Sequence, residues 1–212
     1  MGNSKIREYY QSMADTIQEA KETRNKSPDF SRYDIAYMQK FINQKHDLLD
    51  LGAGSGLLLN HIKDGFRKVV AVELYPEFSK FINVSDNTVV INEDLLSFQT
   101  KEQFNVVILF GVMNFFNTEE AMTLYEKFYR FTLAGGVLVI KNQMGVDEDV
   151  SVDHFSEELG KHYFSEYRSV ESECALIERA GFKVSKVDDI YPDEFNRWPN
   201  TRFTAVVSHK LK

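Results

Sequence analysis

Cysteine, proline and long apolar runs are all scarce in this 212-residue chain, and each shortage excludes a class of protein. The single cysteine, Cys174, cannot form an internal disulfide, which argues against a disulfide-built secreted scaffold. With only 4 prolines, no long proline-rich linker is expected, and residues 1–212 are predicted to form one domain. No apolar run reaches the length of a membrane span, and no signal-peptide core is present at the start. We therefore expect a cytoplasmic protein with no membrane partner.

Positive charge is also in short supply. Lysine and arginine together number 25, against 32 aspartates and glutamates, so the formal net charge is -7. Because binding to a phosphate backbone normally needs a clustered basic face, we expect no nucleic-acid partner. The hydrophobic fraction of 43% suffices for a sizeable core. A monomer or a homodimer fits these properties.

The most informative residues that are present form a glycine turn. An apolar run that contains Asp50 leads into Gly52, Gly54 and Gly56, and a helix-like pattern follows over residues 55–63. Glycine lets the backbone approach a ligand without Cβ clashes, and the start of a helix offers free N–H donors. This segment predicts a turn that holds a nucleotide.

The spacing of the glycines narrows the choice of nucleotide. A dinucleotide fingerprint, G-x-G-x-x-G, would place its third glycine at Leu57, whereas the third glycine here is Gly56. This spacing disfavours NAD and FAD. The phosphate-cradling pattern G-x-x-x-x-G-K-S/T is missing as well. Taken alone, the motif also fits a glycine turn that binds no ligand.

The same segment resembles motif I of the class I S-adenosylmethionine-dependent methyltransferases, in which an acid precedes three alternating glycines. Asp50, Gly52, Gly54 and Gly56 fill every fixed position of that motif. The resemblance extends from residue 46 to about residue 210 and implies S-adenosylmethionine as the cofactor. It also implies an α/β fold: a doubly wound, Rossmann-like sheet of seven strands, mostly parallel with an antiparallel last strand, helices on both faces and an N-terminal helical lid.

Further apolar runs fit this fold. Strands after the glycine turn are predicted over residues 68–74, 88–91, 104–110 and 137–140. Two closing strands, near residues 182–187 and 202–208, follow each other without a helix and predict a hairpin. Helices are predicted from Asn117, where a capping-box-like acid follows, and over residues 169–180, with Gly181 as the stop.

Acids follow two of the predicted strands. Glu73 stands about 20 residues after the glycine turn, where an acid can accept hydrogen bonds from ribose hydroxyls. The resemblance implies the same role for Glu73, with Leu74 beside it, although a solvated acid is the alternative. It further implies that Asp94 accepts the adenine amino group, that Leu95 contacts the ring, and that the backbone of Phe110 lies near the methionine part of the cofactor.

Aromatic residues recur at helical spacing in residues 1–45, which predicts a helical lid. The resemblance to small-molecule methyltransferases implies that such helices close over the sulfonium and the acceptor. Tyr10 and Tyr33 are the candidates for that contact, and Arg32 is a candidate partner for the cofactor carboxylate. The alternative is that these tyrosines only pack the helices onto the sheet.

An acidic segment at residues 142–168 is expected to form a long loop that contacts the substrate. Its acids could attract an amine, or they could simply be solvated. His154 is the candidate catalytic base for a hydroxyl acceptor, and His162 is the other histidine of the segment. For an amine acceptor, a tyrosine hydroxyl or a carboxylate would suffice. No metal site is predicted.

Together these features predict transfer of a methyl group to an oxygen or nitrogen of a small polar metabolite, such as a sugar or an amine. The chain then divides into a lid (1–45), a cofactor half (46–141), a substrate insert (142–168) and a closing part (169–212). In-line displacement at a sulfonium needs mainly orientation and exclusion of water. Two alternatives stay open: a protein or peptide methyltransferase, and a catalytically silent module that binds S-adenosylmethionine.

Overall fold

The computed structural model describes residues 4–24, 30–156, 161–196 and 198–212, in which helices and strands alternate. The α-helices are α1 (Ser4–Ala14), α2 (Ser31–Met38), α3 (Leu59–Ile62), α4 (Pro76–Ser79), α5 (Thr118–Phe131) and α6 (Val170–Arg179). The strands are β1 (Asp47–Leu51), β2 (Lys68–Glu73), β3 (Thr88–Asn92), β4 (Phe104–Phe110), β5 (Thr132–Gly145), β6 (Val150–Ser156), β7 (Lys161–Tyr167), β8 (Lys183–Asp189) and β9 (Thr201–His209). Short 3-10 turns lie at Ala20–Arg24, Gln39–Phe41, Lys63–Gly65, Met113–Phe115 and Asp193–Phe195.

Seven of the strands form one sheet in the order β3-β2-β1-β4-β5-β9-β8. The pairs among β1 to β5 are parallel, whereas β9 is antiparallel to both β5 and β8. These findings confirm the predicted doubly wound α/β fold with its antiparallel last strand. The chain winds outward from β1 to β3 and then returns to β4 on the other side of β1. In such sheets the crevice beyond the carboxyl ends of the strands, at this reversal, is where ligands bind.

The central strands are apolar throughout because helices cover both faces of the sheet. All five residues of β1 are buried. On one face, α5 and α6 contribute core residues such as Phe128 and Ile177, and on the other face α2 and α3 contribute Met38 and Ile62. Each face of the sheet therefore has its own core, and the crevice beyond the carboxyl ends of the strands lies between the two cores.

Helix α5 begins where the sequence predicts it. The Glu120 N–H donates to Asn117 Oδ1 at 2.9 Å, and the Asn117 N–H donates to Glu120 Oε2 at 3.2 Å. This reciprocal capping box satisfies two backbone donors that a helix start leaves unpaired. The helix after the glycine turn is shorter than predicted, because the positive φ angles of Gly54 (56°) and Gly56 (73°) delay its start to Leu59.

The segment 142–168 differs from the loop that the sequence predicts. Strand β5 continues to Gly145, well past the predicted end at Ile140, because it pairs with β9 along residues 137–145. The residues that follow form an antiparallel pair, β6 with β7. Ladder pairing gives their backbone N–H and C=O groups partners, which a loop of that length would have to find elsewhere.

Among the residues that the structure describes, no helix is both long and apolar enough to cross a membrane.

Candidate functional site

A pocket of about 360 Å³ opens at the carboxyl ends of the central strands, where the winding direction reverses. Its walls come from the glycine turn, the ends of β2, β4 and β5, and helices α1 and α2. Most of the predicted site residues line it: Tyr10, Asp50, Gly52, Gly54, Glu73, Leu74, Asp94, Leu95 and Phe110. The structure therefore brings together residues that the sequence spreads over a hundred positions.

The glycine turn is shaped by backbone conformations that other residues rarely adopt. Gly52 has a φ of 77°, and a Cβ added there would lie 2.6 Å from Cγ2 of Val112. Gly54 has a φ of 56°, and a Cβ there would meet no atom within 4 Å, since the residue borders the pocket. Gly52 is thus required by close packing, whereas Gly54 leaves room for a ligand to approach the backbone.

Glu73 ties the second strand to the glycine turn. Its carboxylate accepts from the Gly54 N–H at 2.9 Å and from the Tyr75 N–H at 3.0 Å. Burial raises the pKa of Glu73, and the backbone hydrogen bonds from Tyr75, Gly54 and Leu74 oppose that rise. A carboxylate has roughly four acceptor sites, so Glu73 can accept further bonds from a ligand's hydroxyls.

Asp50 lies deep beside this pair. Burial raises the pKa of Asp50 to about 7, and the charge of Glu73 adds to the shift. Because its pKa lies near neutrality, a cation entering the pocket favours the ionised form of Asp50.

The pocket as a whole is acidic. Its wall carries the cationic side chains of Arg7 and Lys141. Against these stand five carboxylates: Asp34, Asp50, Glu73, Glu93 and Asp94. The balance favours a ligand that carries positive charge.

At one end of the pocket, α1 reaches across to the β3 side. Arg7 of α1 donates a hydrogen bond to Oδ2 of Asp94, and the other oxygen of that carboxylate accepts from the Leu96 N–H at 2.9 Å. The Tyr75 hydroxyl donates to the Arg7 carbonyl at 3.1 Å. The side chain that the resemblance assigns to adenine is therefore already engaged by the N-terminal helix.

Aromatic side chains meet over the middle of the pocket. The rings of Tyr10 and Phe115 contact edge to face with centroids 5.1 Å apart, and Tyr10 also lies 6.3 Å from Phe78. Phe115 belongs to the turn after β4 and lines the pocket together with Phe116. Helix α1 and this turn thus enclose the space between them.

A buried ionic network supports that turn from below. Arg168 donates to the carbonyls of Met113 and Phe116 at 2.7 Å each and to the Glu173 carboxylate at 2.6 Å. The Tyr125 hydroxyl donates to the same carboxylate. Paired charges at this depth fix the turn against α6, because breaking such a pair leaves an unpaired buried charge.

Several predicted residues lie away from the pocket wall. Tyr33 packs its ring 5.7 Å from Tyr191, and Arg32 donates to the Tyr33 hydroxyl at 2.7 Å. Gly56 has a φ of 73° but does not line the pocket. His154 is an exposed residue of β6 and does not line it either.

Asn114, in the turn after β4, is buried, donates to Ser165 Oγ at 2.8 Å and does not line the pocket wall. The side chain of His162 falls outside the described part of the structure. Neither residue adds a described contact to the site.

The sequence did not reveal four charged residues of the pocket wall, Arg7, Asp34, Glu93 and Lys141. A signal for Lys141 was present, since it directly follows the apolar run of β5, as Glu73 ends the run of β2. Arg7 and Asp34 lie among other polar residues of helices, where the sequence gives no mark of their position.

The segment that contains most of these pocket residues matches a known protein family. A model described as "Methyltransferase domain" matches residues 49–140, the segment that contains the glycine turn, Glu73, Asp94 and β4. Over this segment the chain is similar to a methyltransferase domain. The match confirms the predicted resemblance, and S-adenosylmethionine is the cofactor that such a domain uses. No curated protein sequence matches the chain.

Solved structures share the methyltransferase fold at low sequence identity. The Burkholderia thailandensis 1,6-didemethyltoxoflavin-N1-methyltransferase, solved with 1,6-didemethyltoxoflavin and S-adenosylhomocysteine, has a TM-score of 0.73 at 13% identity. That match covers 99% of this chain and 88% of that one. DhpI, solved in complex with SAH, has a TM-score of 0.71 at 16% identity, covering 96% and 94%. The glycopeptide N-methyltransferase MtfA, solved with S-adenosylmethionine, has a TM-score of 0.67 at 13% identity, covering 87% and 95%.

Proposed function

We propose that this protein transfers the methyl group of S-adenosylmethionine to a nitrogen or oxygen atom of a small polar molecule. The observation that carries the proposal is the single pocket in which the glycine turn, Glu73 and Asp94 line one end and a separate polar cluster lines the other. The first group suits a nucleoside, and the second lies where an acceptor would meet the methyl group.

The proposed placement of the cofactor is the one that the family resemblance implies, and the order of the strands is consistent with it. Adenine lies against Leu95 and Asp94, beyond β3, and the ribose hydroxyls donate to Glu73 at the end of β2. The methionine part then passes the glycine turn, which brings the sulfonium near Phe110 at the end of β4. The surplus of carboxylates in the wall stabilises the cofactor's positive sulfur and ammonium.

The pocket limits the size of the acceptor. Tyr10 and Phe115 both line it, and their rings contact each other there, which narrows the space for a folded protein segment. Small-molecule acceptors fit such a space. The Burkholderia thailandensis neighbour was solved with a small molecule, 1,6-didemethyltoxoflavin, bound. Reaction requires little beyond holding the nucleophile in line with the carbon–sulfur bond and excluding water.

Calorimetry with S-adenosylmethionine and S-adenosylhomocysteine tests the cofactor assignment. We expect both to bind, and we expect Glu73→Ala to weaken binding by about a hundredfold or more, since the change removes the proposed ribose contact and leaves the N–H groups of Gly54 and Tyr75 without their acceptor. Glu178→Gln, a change at an exposed glutamate of α6, is the matched control and should bind as the unmutated protein does. Absence of binding by the unmutated protein would refute the proposal.

Turnover assays test the acceptor class. Amines, nitrogen heterocycles, sugars and peptides are offered with S-adenosylmethionine, and formation of S-adenosylhomocysteine is measured. We expect turnover with a small molecule; turnover with peptides alone would instead favour a peptide methyltransferase. The same assay on His154→Ala tests the predicted base, and an unchanged rate would remove His154 from the mechanism.

A further inference from the structure

The end of the pocket opposite Asp94 contains a buried ionic cluster that the cofactor placement does not use. Lys141 of β5 stands opposite Phe110 of β4 in the parallel register, and both line the pocket. Strand β5 is four positions from β3 in the sheet, a separation of roughly 19 Å at about 4.8 Å per strand. A ligand whose adenine lies at β3 therefore directs its other end toward Lys141.

Three side chains form this cluster, which we name the Lys141 cluster: Lys141, Tyr191 and Asp34. Lys141 Nζ donates to the Tyr191 hydroxyl at 2.8 Å, and that hydroxyl donates to Asp34 Oδ1 at 2.7 Å. The distance from Lys141 Nζ to Asp34 Oδ1 is 3.5 Å. All three residues are buried, with Asp34 only 2% exposed, and they come from β5, the loop after β8 and α2.

Burying this ion pair is costly for the fold. Desolvation of two charges is rarely recovered in full by their mutual attraction, and apolar side chains of similar volume often stabilise a protein more. Here Lys141 and Asp34 both line the pocket, and the rings of Phe110 and Tyr191 lie 5.4 Å and 5.1 Å from Lys141 Nζ. Polar groups held by a rigid shell at a pocket wall are suited to orient a bound molecule.

A second cluster of the same composition shows what such groups look like without a pocket. The Tyr37 hydroxyl donates to Asp188 Oδ2 at 2.8 Å, and Lys40 Nζ lies 3.6 Å from that oxygen. Tyr37 also belongs to α2, but none of these three residues lines the pocket. The Lys141 cluster therefore differs from the Tyr37 cluster in lining the pocket and in its deeper burial, since the side chains of Lys141 and Asp34 are 10% and 3% exposed, against 43% and 24% for Lys40 and Asp188.

We propose that the Lys141 cluster is the acceptor subsite and that Asp34 is the base. This inference rests on the proposed methyl transfer. The acceptor presents an N–H or O–H group whose hydrogen bond Asp34 accepts. A lone pair on the acceptor's nitrogen or oxygen bonds to the methyl carbon as the carbon–sulfur bond breaks. The electron pair of the broken bond stays on sulfur, and the acceptor's proton moves to the Asp34 carboxylate. Lys141 and Tyr191 are positioning residues that fix the carboxylate.

Binding of small probes to the protein loaded with S-adenosylhomocysteine tests the subsite without knowledge of the natural acceptor. Imidazole, aniline, phenol and glucose are followed by saturation-transfer NMR. We expect at least one to bind and to lose binding by about tenfold or more in Asp34→Asn and Lys141→Met. Asp188→Asn, the matched change in the Tyr37 cluster, should leave binding unchanged. Failure of all probes to bind, or equal binding by the variants, would overturn the subsite.

If the protein methylates one of these probes, steady-state kinetics with that probe distinguish the base from the positioning residues. Asp34→Asn should lower kcat by about a hundredfold or more, because the base is removed. Tyr191→Phe should mainly raise KM, with a much smaller change in kcat, because it leaves the Asp34 carboxylate in place. A general base normally contributes at least about a hundredfold to the rate. A kcat for Asp34→Asn within about threefold of the unmutated value would therefore exclude Asp34 as the base.

Cofactor binding distinguishes failure of this inference from failure of the proposed function. Asp34→Asn and Lys141→Met should bind S-adenosylhomocysteine within about threefold of the unmutated protein, which also shows that they fold. Loss of that binding in the variants alone would place the cluster at the cofactor and overturn the inference. Loss in the unmutated protein would instead contradict the proposed function.

Discussion

The two ends of the pocket differ in the groups that they present to a ligand. At the cofactor end, glycines with positive φ angles stand beside the Glu73 carboxylate, which accepts from the N–H groups of Gly54 and Tyr75. At the proposed acceptor end, the wall carries Lys141 and Asp34, and the buried Tyr191 hydroxyl joins these two side chains by hydrogen bonds. Backbone recognition tolerates few changes of sequence, whereas a side-chain subsite can be altered one residue at a time. One fold can thus keep its methyl donor while its acceptor changes.

The largest effect should come from disturbing the backbone end. Gly52→Ala forces a side chain into the left-handed region and places its Cβ 2.6 Å from Val112 Cγ2, which should destabilise the fold by about 2–4 kcal/mol. Binding of S-adenosylmethionine should weaken as the turn moves. Urea unfolding and calorimetry measure the two effects.

Gly111→Ala is the matched control for that change. Gly111 has a φ of 76°, close to that of Gly52, but a Cβ there meets no atom within 4 Å. We expect a loss of about 1–2 kcal/mol from backbone strain alone. Equal losses in the two variants would show that contact with Val112 does not shape the glycine turn.

A smaller effect is expected from the protonation of Asp50. With a pKa of about 7, the carboxyl ionises as the pH rises from 6 to 8, and its charge then attracts the cationic cofactor. Affinity for S-adenosylmethionine should rise about three- to tenfold over this range. Calorimetry at several pH values measures the rise, and Asp50→Asn should flatten it; an unchanged slope in that variant would assign the titration to another group.

The same shift has the opposite consequence for the empty protein. A carboxyl whose pKa is raised by folding binds its proton more tightly in the folded state than in the unfolded state. The contribution of Asp50 to stability is therefore largest below about pH 4 and is lost as the pH rises toward 7. Asp50→Asn should remove this part of the pH dependence.

The smallest effect is expected where a side chain covers the cofactor end. Arg7 and Asp94 are partly exposed, with 42% and 24% of their side chains accessible, so their ion pair is worth at most about 1 kcal/mol. Because the proposed placement sets adenine against the Asp94 carboxylate, Arg7→Met should tighten S-adenosylmethionine binding by at most about fivefold. Calorimetry measures the change, and a large loss of affinity would mean that Arg7 binds the cofactor itself.

The contrast between the two ends also explains what could be predicted from the sequence. The cofactor end lies within one stretch of chain, so the spacing of Asp50, the glycines and Glu73 is visible without a structure. The strands were predictable for a related reason, since burial on both faces leaves continuous apolar runs such as β4.

The acceptor end was not predictable in this way. Asp34, Lys141 and Tyr191 are separated by more than a hundred residues overall and lie in α2, β5 and the loop after β8, which only the folded chain brings together. The β6–β7 pair was missed because its alternation is interrupted by acids and histidine, which are typical of loops. Long-range contacts of this kind leave no local pattern.

A structure with S-adenosylhomocysteine bound would show whether the cofactor and the acceptor occupy opposite ends of the pocket. We expect adenine against Leu95, ribose hydroxyls on Glu73, and the sulfur near Phe110, with the side of the sulfur that carries the methyl group in S-adenosylmethionine facing Asp34 and Lys141. A sulfur atom turned away from the Lys141 cluster, or a pocket left empty at saturating ligand, would contradict this expectation.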